Sequence, residues 1–180
     1  ARLVQQFLAE TAVLAVAAVA ALPTHTGAAI PADNRISGTV AGAGLSIPMD
    51  ANPIASTSSL TLSASLVTAS SVLEQRWLLR MEFTSPPAVG QTLPCHEYAS
   101  SASGAKTVRL DLRAKSGSTS TDYSSQNGGR CQVTFTSVEI GGPTNDNILA
   151  VQARFVAELY PAKRNVAPIV IDDGVLGWAQ

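Results

Sequence analysis

Charge is scarce in this chain of 180 residues: only 14% of them are Asp, Glu, Lys or Arg, and the formal net charge is -1. A typical soluble protein has about 25% charged residues. The longest basic cluster is the pair Lys163 and Arg164, which cannot supply the positive field that neutralises nucleic-acid phosphates. The sequence therefore predicts a protein that does not bind nucleic acid.

Residues that commonly carry chemistry are also few. The two histidines are His25 and His96, and the two cysteines, Cys95 and Cys131, are too far apart for a Cys-x-x-Cys metal or redox motif. The Gly-x-Ser-x-Gly elbow of many hydrolases is absent as well. We therefore expect no enzyme activity, no bound metal and no cofactor.

Three further segments contain residue types suited to a site, but each is better explained as a turn. The DDG sequence at 172–174 pairs two carboxylates, yet it favours a turn in which an aspartate hydrogen-bonds the local backbone and Gly174 takes a positive φ. Residues 145–147 (NDN) have oxygen ligands for calcium without the spacing of a calcium loop. The glycines at 41–44 lack the strand, helix and lysine of a phosphate-binding loop.

The spacing of Cys95 and Cys131 favours a disulfide. Closing a loop of that size stabilises a protein by about 4 kcal/mol in the chain-entropy model. Because disulfides persist in oxidising compartments, this bridge predicts an exported domain. Two buried free thiols are the alternative.

The N-terminal segment is a long apolar stretch. Residues 3–22 read LVQQFLAETAVLAVAAVAAL, and no Gly or Pro occurs before Pro23, so the stretch favours helix. A helix of the first 22 residues is about 33 Å long, which is enough to cross a bilayer. Residues 12–22 are apolar all round, which predicts that the helix is buried in a membrane or in an assembly.

Three interpretations of this segment compete. A secretory signal peptide would use Arg2 as its basic start and the Ala-Val-Ala sequence at 18–20 as its cleavage site. A membrane anchor would pay about 2.5 to 3.5 kcal/mol for Glu10 near the bilayer centre. A helix retained after processing and packed against copies of itself in a fibre accommodates both the carboxylate and the apolar stretch.

The chain resembles type IV pilins and their relatives in four features. These are the hydrophobic helix, Glu10 inside it, the sequence Ala-Ala-Leu-Pro at 20–23 and the β-rich remainder. The resemblance covers residues 1–23 and departs from the family pattern at Ala1 and Gln5, where the family has an aromatic residue and a glutamate. It implies that the helices bundle along a filament axis and that Glu10 pairs with the terminal amine of a neighbouring subunit. The assembly residues on this interpretation are Leu3, Phe7, Glu10, Val13, Leu14, Val16, Val19 and Leu22.

After a linker at 24–34 that is rich in turn formers, the periodicity changes to the alternation of β-strands. The final strand should lie at a sheet edge because it contains Pro168, the Ser-rich run at 116–125 should form an exposed loop, and Trp178 should pack in the core. Strands are predicted at 35–40, 60–66, 77–83, 108–112, 131–135, 149–159 and 166–171.

These strands predict a mainly β fold, an antiparallel β-sandwich or jelly-roll-like domain over 35–180 preceded by one hydrophobic helix at 1–23. Residues 128–157 also resemble part of small secreted bacterial β-sandwich domains. Two functions follow. The first is a structural subunit of a pilus-like filament at the extracellular cell surface, a homopolymer whose helix has the membrane as its partner before assembly. The alternative is a secreted or membrane-anchored recognition or adhesion domain, with residues 1–22 as its leader or anchor.

Overall fold

The computed structural model describes residues 34–180 apart from 41, 52, 68–72, 96–103 and 164. The helix predicted at 1–23 lies outside this range, so it stays a prediction. The described residues contain eleven strands and no helix: β1 Arg35–Val40, β2 Ala43–Pro48, β3 Ile54–Ser56, β4 Ser59–Val67, β5 Leu73–Phe83, β6 Thr92–Pro94, β7 Ala105–Ser116, β8 Thr119–Ser124, β9 Arg130–Gly141, β10 Asn147–Pro161 and β11 Ile169–Ala179.

The strands form two antiparallel layers. Sheet I has the order β2–β1–β11–β10–β9–β6, and sheet II has the order β3–β4–β5–β7–β8. Strand β10 connects the layers at two corners, because Asn147 pairs with Ser56 of β3 and Tyr160 pairs with Ser124 of β8. The mainly β, sandwich-like architecture predicted from the alternation is therefore confirmed.

The core lies between the layers and follows from the alternation of side chains along each strand. Sheet II contributes residues such as Trp77, which is 1% exposed, and sheet I contributes Phe135 at the same exposure. The rings of Phe83 and Phe135 meet across the interior with their centroids 6.2 Å apart. Trp178 also belongs to the buried cluster, as predicted.

The strand predicted at 166–171 is wrong in its extent and in its position. Strand β11 begins at Ile169, continues to Ala179 and lies between β1 and β10 rather than at an edge. Pro168 precedes the strand, so its missing N–H removes no hydrogen bond from the ladder. The proline therefore marks where a central strand begins.

The loop predicted at 116–125 is also wrong, because most of it is strand β8. A tight turn with Gly117 at a φ of 60° joins β7 to β8. Ser124 and Ser125 are buried, and the Ser125 hydroxyl accepts a hydrogen bond from the N–H of Leu110 at 3.1 Å. Serine hydroxyls that bond to a neighbouring strand thus replace the apolar alternation that usually reveals a strand.

The inward-facing set of β10 begins one residue earlier than predicted. A register shift between Ile148 and Ala150 in the pairing with β9 turns Ile148 into the core, where it is 1% exposed. Leu149 is half-buried and lies over Gly141, which has no side chain to obstruct it. From Val151 to Leu159 the predicted alternation is confirmed.

Candidate functional site

The structure contains the predicted disulfide, which fastens β6 to β9. Cys95 directly follows β6, its Cα lies 5.0 Å from that of Cys131 in β9, and its N–H donates to the Cys131 carbonyl at 2.8 Å. Strand β6 has only three residues, and the middle one, Leu93, is fully buried. The disulfide therefore holds a short edge strand, with its core residue, on sheet I.

Two adjoining depressions of about 610 and 550 Å³ lie on the outer face of sheet I. Both are lined by Gln132 of β9, Val156 of β10 and Asp172 of β11. They therefore form one continuous depression across three strands, which we call the β9–β10–β11 groove.

A bulge in β11 shapes this groove. Between Ile171 and Gly174 the strand has one residue more than its neighbours, so Asp172 and Asp173 are both exposed while the residues on either side of them are buried. Gly174 faces the core, where an added Cβ would lie 2.5 Å from ring carbons of Phe155. The bulge is thus fixed from beneath by a phenylalanine ring packed on a glycine.

The turn predicted at 172–174 is therefore wrong: the extra residue is absorbed within a continuous strand, and Gly174 is not among the glycines with positive φ. Asp173 accepts hydrogen bonds from the backbone N–H of Thr39 on β1 at 2.6 Å and from its hydroxyl at 2.9 Å. These bonds, the backbone one above all, lower the pKa of Asp173 because they stabilise the carboxylate.

The groove carries charges of both signs around an apolar centre. At one end, Arg130 donates to Glu158 at 3.0 Å and the Tyr160 hydroxyl donates to the same carboxylate at 2.8 Å, which raises the pKa of Tyr160. At the centre, Val156 and Val170 are 43% and 45% exposed. This arrangement can hold a complementary surface by apolar contact and charge pairing.

Two charges of the groove have no such partner. Arg154 and Asp172 both line it. Within the described residues, neither side chain forms an ion pair. Both lie next to Val156: Arg154 is two residues before it on β10, and Asp172 lies beside it on β11. Each is therefore available to a group outside the chain.

Most predicted site residues lie outside the described part of the chain. This is true of both histidines, His25 and His96, and of the eight assembly residues, Leu3, Phe7, Glu10, Val13, Leu14, Val16, Val19 and Leu22. Among the residues that are described, no helix is long and apolar enough to span a membrane, and no group of three His, Cys, Asp or Glu side chains gathers. The assembly set stays a prediction.

Of the other two segments, Asn145 and Gly42 lie in turns, as predicted, whereas Gly44 belongs to strand β2. Asn145 has a φ of 54°, and its N–H donates to the carbonyl of Gly142 at 3.2 Å in the connection between β9 and β10. Gly42, with a φ of 81°, lies in the connection between β1 and β2. Both positions use the left-handed backbone conformation that Gly and Asn tolerate.

Sequence reasoning missed the groove, although two residues signalled it. Val156 and Val170 occupy outward-facing positions of their strands, where polar residues are expected in a half-exposed sheet.

No family model, curated protein or solved structure matches this chain.

Proposed function

We propose that this protein is a structural subunit of an extracellular filament that polymerises through the hydrophobic helix predicted at 1–23. The observation that carries the proposal is the stretch at 12–22, which is apolar all round and joined to a β domain with a core of its own. The core residues that the structure describes lie between Ile36 and Trp178. This core is closed by two sheets, so it does not require the N-terminal stretch for its burial.

Helix burial is the driving force of the proposed assembly. Each subunit would hide about 1,000 Å² of Ala, Val and Leu surface, worth on the order of 25 kcal/mol before the entropy of association is subtracted. The resemblance to type IV pilins adds a role for Glu10, which would pair with the terminal amine of a neighbouring subunit. The sandwich-like domains would then form the exterior of the filament at the cell surface.

The exterior fits this role in composition. The outer face of β4 presents Ser59, Thr61, Ser63 and Ser65, and two of these hydroxyls donate to Asp50 at 2.7 and 3.1 Å. Hydroxyl groups of this kind keep a surface soluble with little net charge, which lets like subunits approach one another closely. The disulfide supports the proposal too, since it is suited to an oxidising compartment.

Electron microscopy of native cell-surface material, with intact mass on the same sample, tests the proposal. We expect filaments that contain the chain from Ala1. We expect Val16→Asp or Leu14→Asp to abolish them, while a chain that starts near Ala28 stays folded and monomeric at micromolar concentration. Ile54→Asp is the matched control, because Ile54 is 59% exposed on β3. Unchanged filaments from the two helix variants would refute the proposal.

The β9–β10–β11 groove favours a second candidate, an exported recognition or adhesion domain that binds a ligand through its outer face. In that case residues 1–22 serve as a leader or an anchor. Intact mass separates the candidates: dispersed particles that lack residues 1 to about 20 cannot form a helical fibre core, and their function would lie in the β domain.

A further inference from the structure

We propose that the β9–β10–β11 groove is a self-association surface, on which a second copy of this chain packs so that Arg154 of each copy meets Asp172 of the other. The observation behind this proposal is the pair of charges next to the exposed Val156 that form no ion pair within the described residues, Arg154 on the same strand and Asp172 on the adjacent strand. The inference concerns the β domain alone and goes beyond assembly through the N-terminal helix.

The register of the strands makes the groove complementary to itself. Arg154 lies two residues from Val156 along β10, about 7 Å away, and Asp172 lies beside Val156 on the adjacent strand, about 5 Å away. A two-fold axis in the plane of the face, passing through Val156 between these two directions, exchanges the two positions. Each copy then places its arginine on the other's aspartate, and the two Val156 side chains meet on the axis, as in any isologous interface.

The opposite signs of the two charges without an ion-pair partner, Arg154 and Asp172, are the reason to choose a second copy as the occupant. A polyanion would be attracted by Arg154 and repelled by Asp172, and a polycation would meet the opposite conflict. Arg130 and Glu158 already pair, and the Asp173 carboxylate keeps its negative charge but is bound by two hydrogen bonds from Thr39. Only a partner with one charge of each sign around an apolar centre satisfies both groups, and the chain itself has that pattern.

The area of the proposed contact is small, so the dimer should be weak. Three strands spaced about 4.8 Å apart, over about five residues, give roughly 250 Å² per copy. Stable complexes bury about 800 Å² per partner. We therefore expect weak dimers, with a Kd of roughly 0.1 to 1 mM. Such a contact becomes effective where subunits are already held side by side, because the local concentration then reaches the millimolar range.

A charge swap tests the pairing. The full-length chain is kept in a non-ionic detergent that solubilises its apolar segment. Sedimentation equilibrium is then measured in a solvent whose density matches that of the detergent. The protein concentration extends to about 2 mM, so that it spans the expected Kd. Arg154→Asp and Asp172→Arg should each weaken the dimer by about tenfold or more, because like charges then meet twice. An equimolar mixture of the two variants should restore the affinity to within about threefold, since both charge pairs form again between unlike chains.

The control is Arg76→Asp on the outer face of sheet II, which changes the same charge at an exposed site and should leave the Kd unchanged. A wild-type chain that stays monomeric over the whole range overturns the proposal. So does a dimer that is indifferent to the swaps, as expected when two chains merely share a micelle, or a mixture of folded variants that fails to restore binding. Filaments that survive Val16→Asp would refute the proposed function and leave this result standing.

Discussion

Replacing both Cys95 and Cys131 with alanine should destabilise the domain severely. The bridge closes a loop with a sequence separation of 36, and removing it returns about 4 kcal/mol of chain entropy to the unfolded state. The stability of a typical domain is about 5 to 15 kcal/mol, so this loss is about a quarter of it or more. For a domain of this size the unfolding midpoint should fall by roughly 8 to 16 °C.

The loss of stability should appear first at strand β6. Strand β6 is three residues long, so without the bridge it should detach from β9 and expose Leu93, which is fully buried in the native domain. The N–H of Phe135, which donates to the carbonyl of Gln91 at 3.0 Å, should then exchange with solvent at least about tenfold faster. Amides of the β4–β5 pairing on the other sheet serve as the internal control.

Thermal unfolding followed by circular dichroism, together with native-state hydrogen exchange, measures both effects. The wild-type chain under reducing conditions should lose stability as well, because it has lost the same covalent link but keeps both sulfur atoms. A midpoint that falls by less than about 3 °C would refute the chain-entropy argument for this loop. Equal exchange rates at Phe135 in the two proteins would refute the account of β6 as a strand held by its disulfide.

Two further predictions concern the bulge of β11. Asp173→Asn should make the free energy of unfolding depend less on pH in the acidic range. Hydrogen bonds from Thr39 lower the folded-state pKa of Asp173. The carboxylate therefore stabilises the fold above its unfolded-state pKa, and this stabilisation is lost as the pH falls through the folded-state pKa. In urea titrations the variant should therefore be less stable than wild type at pH 7, and the difference should shrink as the pH falls below the ordinary aspartate pKa of about 3.9. A difference that stays constant would contradict this. Gly174→Ala should destabilise by about 1 to 3 kcal/mol because its methyl group meets the Phe155 ring, whereas Gly44→Ala, with open space around it, should change stability by less than about 0.5 kcal/mol.

The alternation of apolar and polar residues predicts the buried face correctly where a strand is long and has one face exposed to solvent. Leu60, Leu62 and Ala64 on β4 and the set from Trp77 to Phe83 on β5 are buried as expected, because a pleated strand sends successive side chains to opposite faces. The short strands β3 and β6 were not predicted. Each has three residues, so its conformation depends on its neighbours more than on its own pattern.

The candidate site was less predictable because it depends on contacts between distant parts of the chain. The bulge at Asp173 is held by Thr39, which is 134 positions away in the sequence. A local pattern such as DDG contains nothing about that partner, so by itself it predicts only a turn. The cysteine pair was predictable because two cysteines allow one pairing within a chain.

The two corners formed by β10 have a consequence for how the domain folds. This one strand of 15 residues pairs with β9, β11, β3 and β8, whose residues extend from Ile54 to Ala179. Its partners must converge from most of the chain before its ladder is complete, and such non-local pairing makes folding slow. The domain should therefore fold only when nearly all of its chain is free to pair, in one cooperative step that takes milliseconds to seconds.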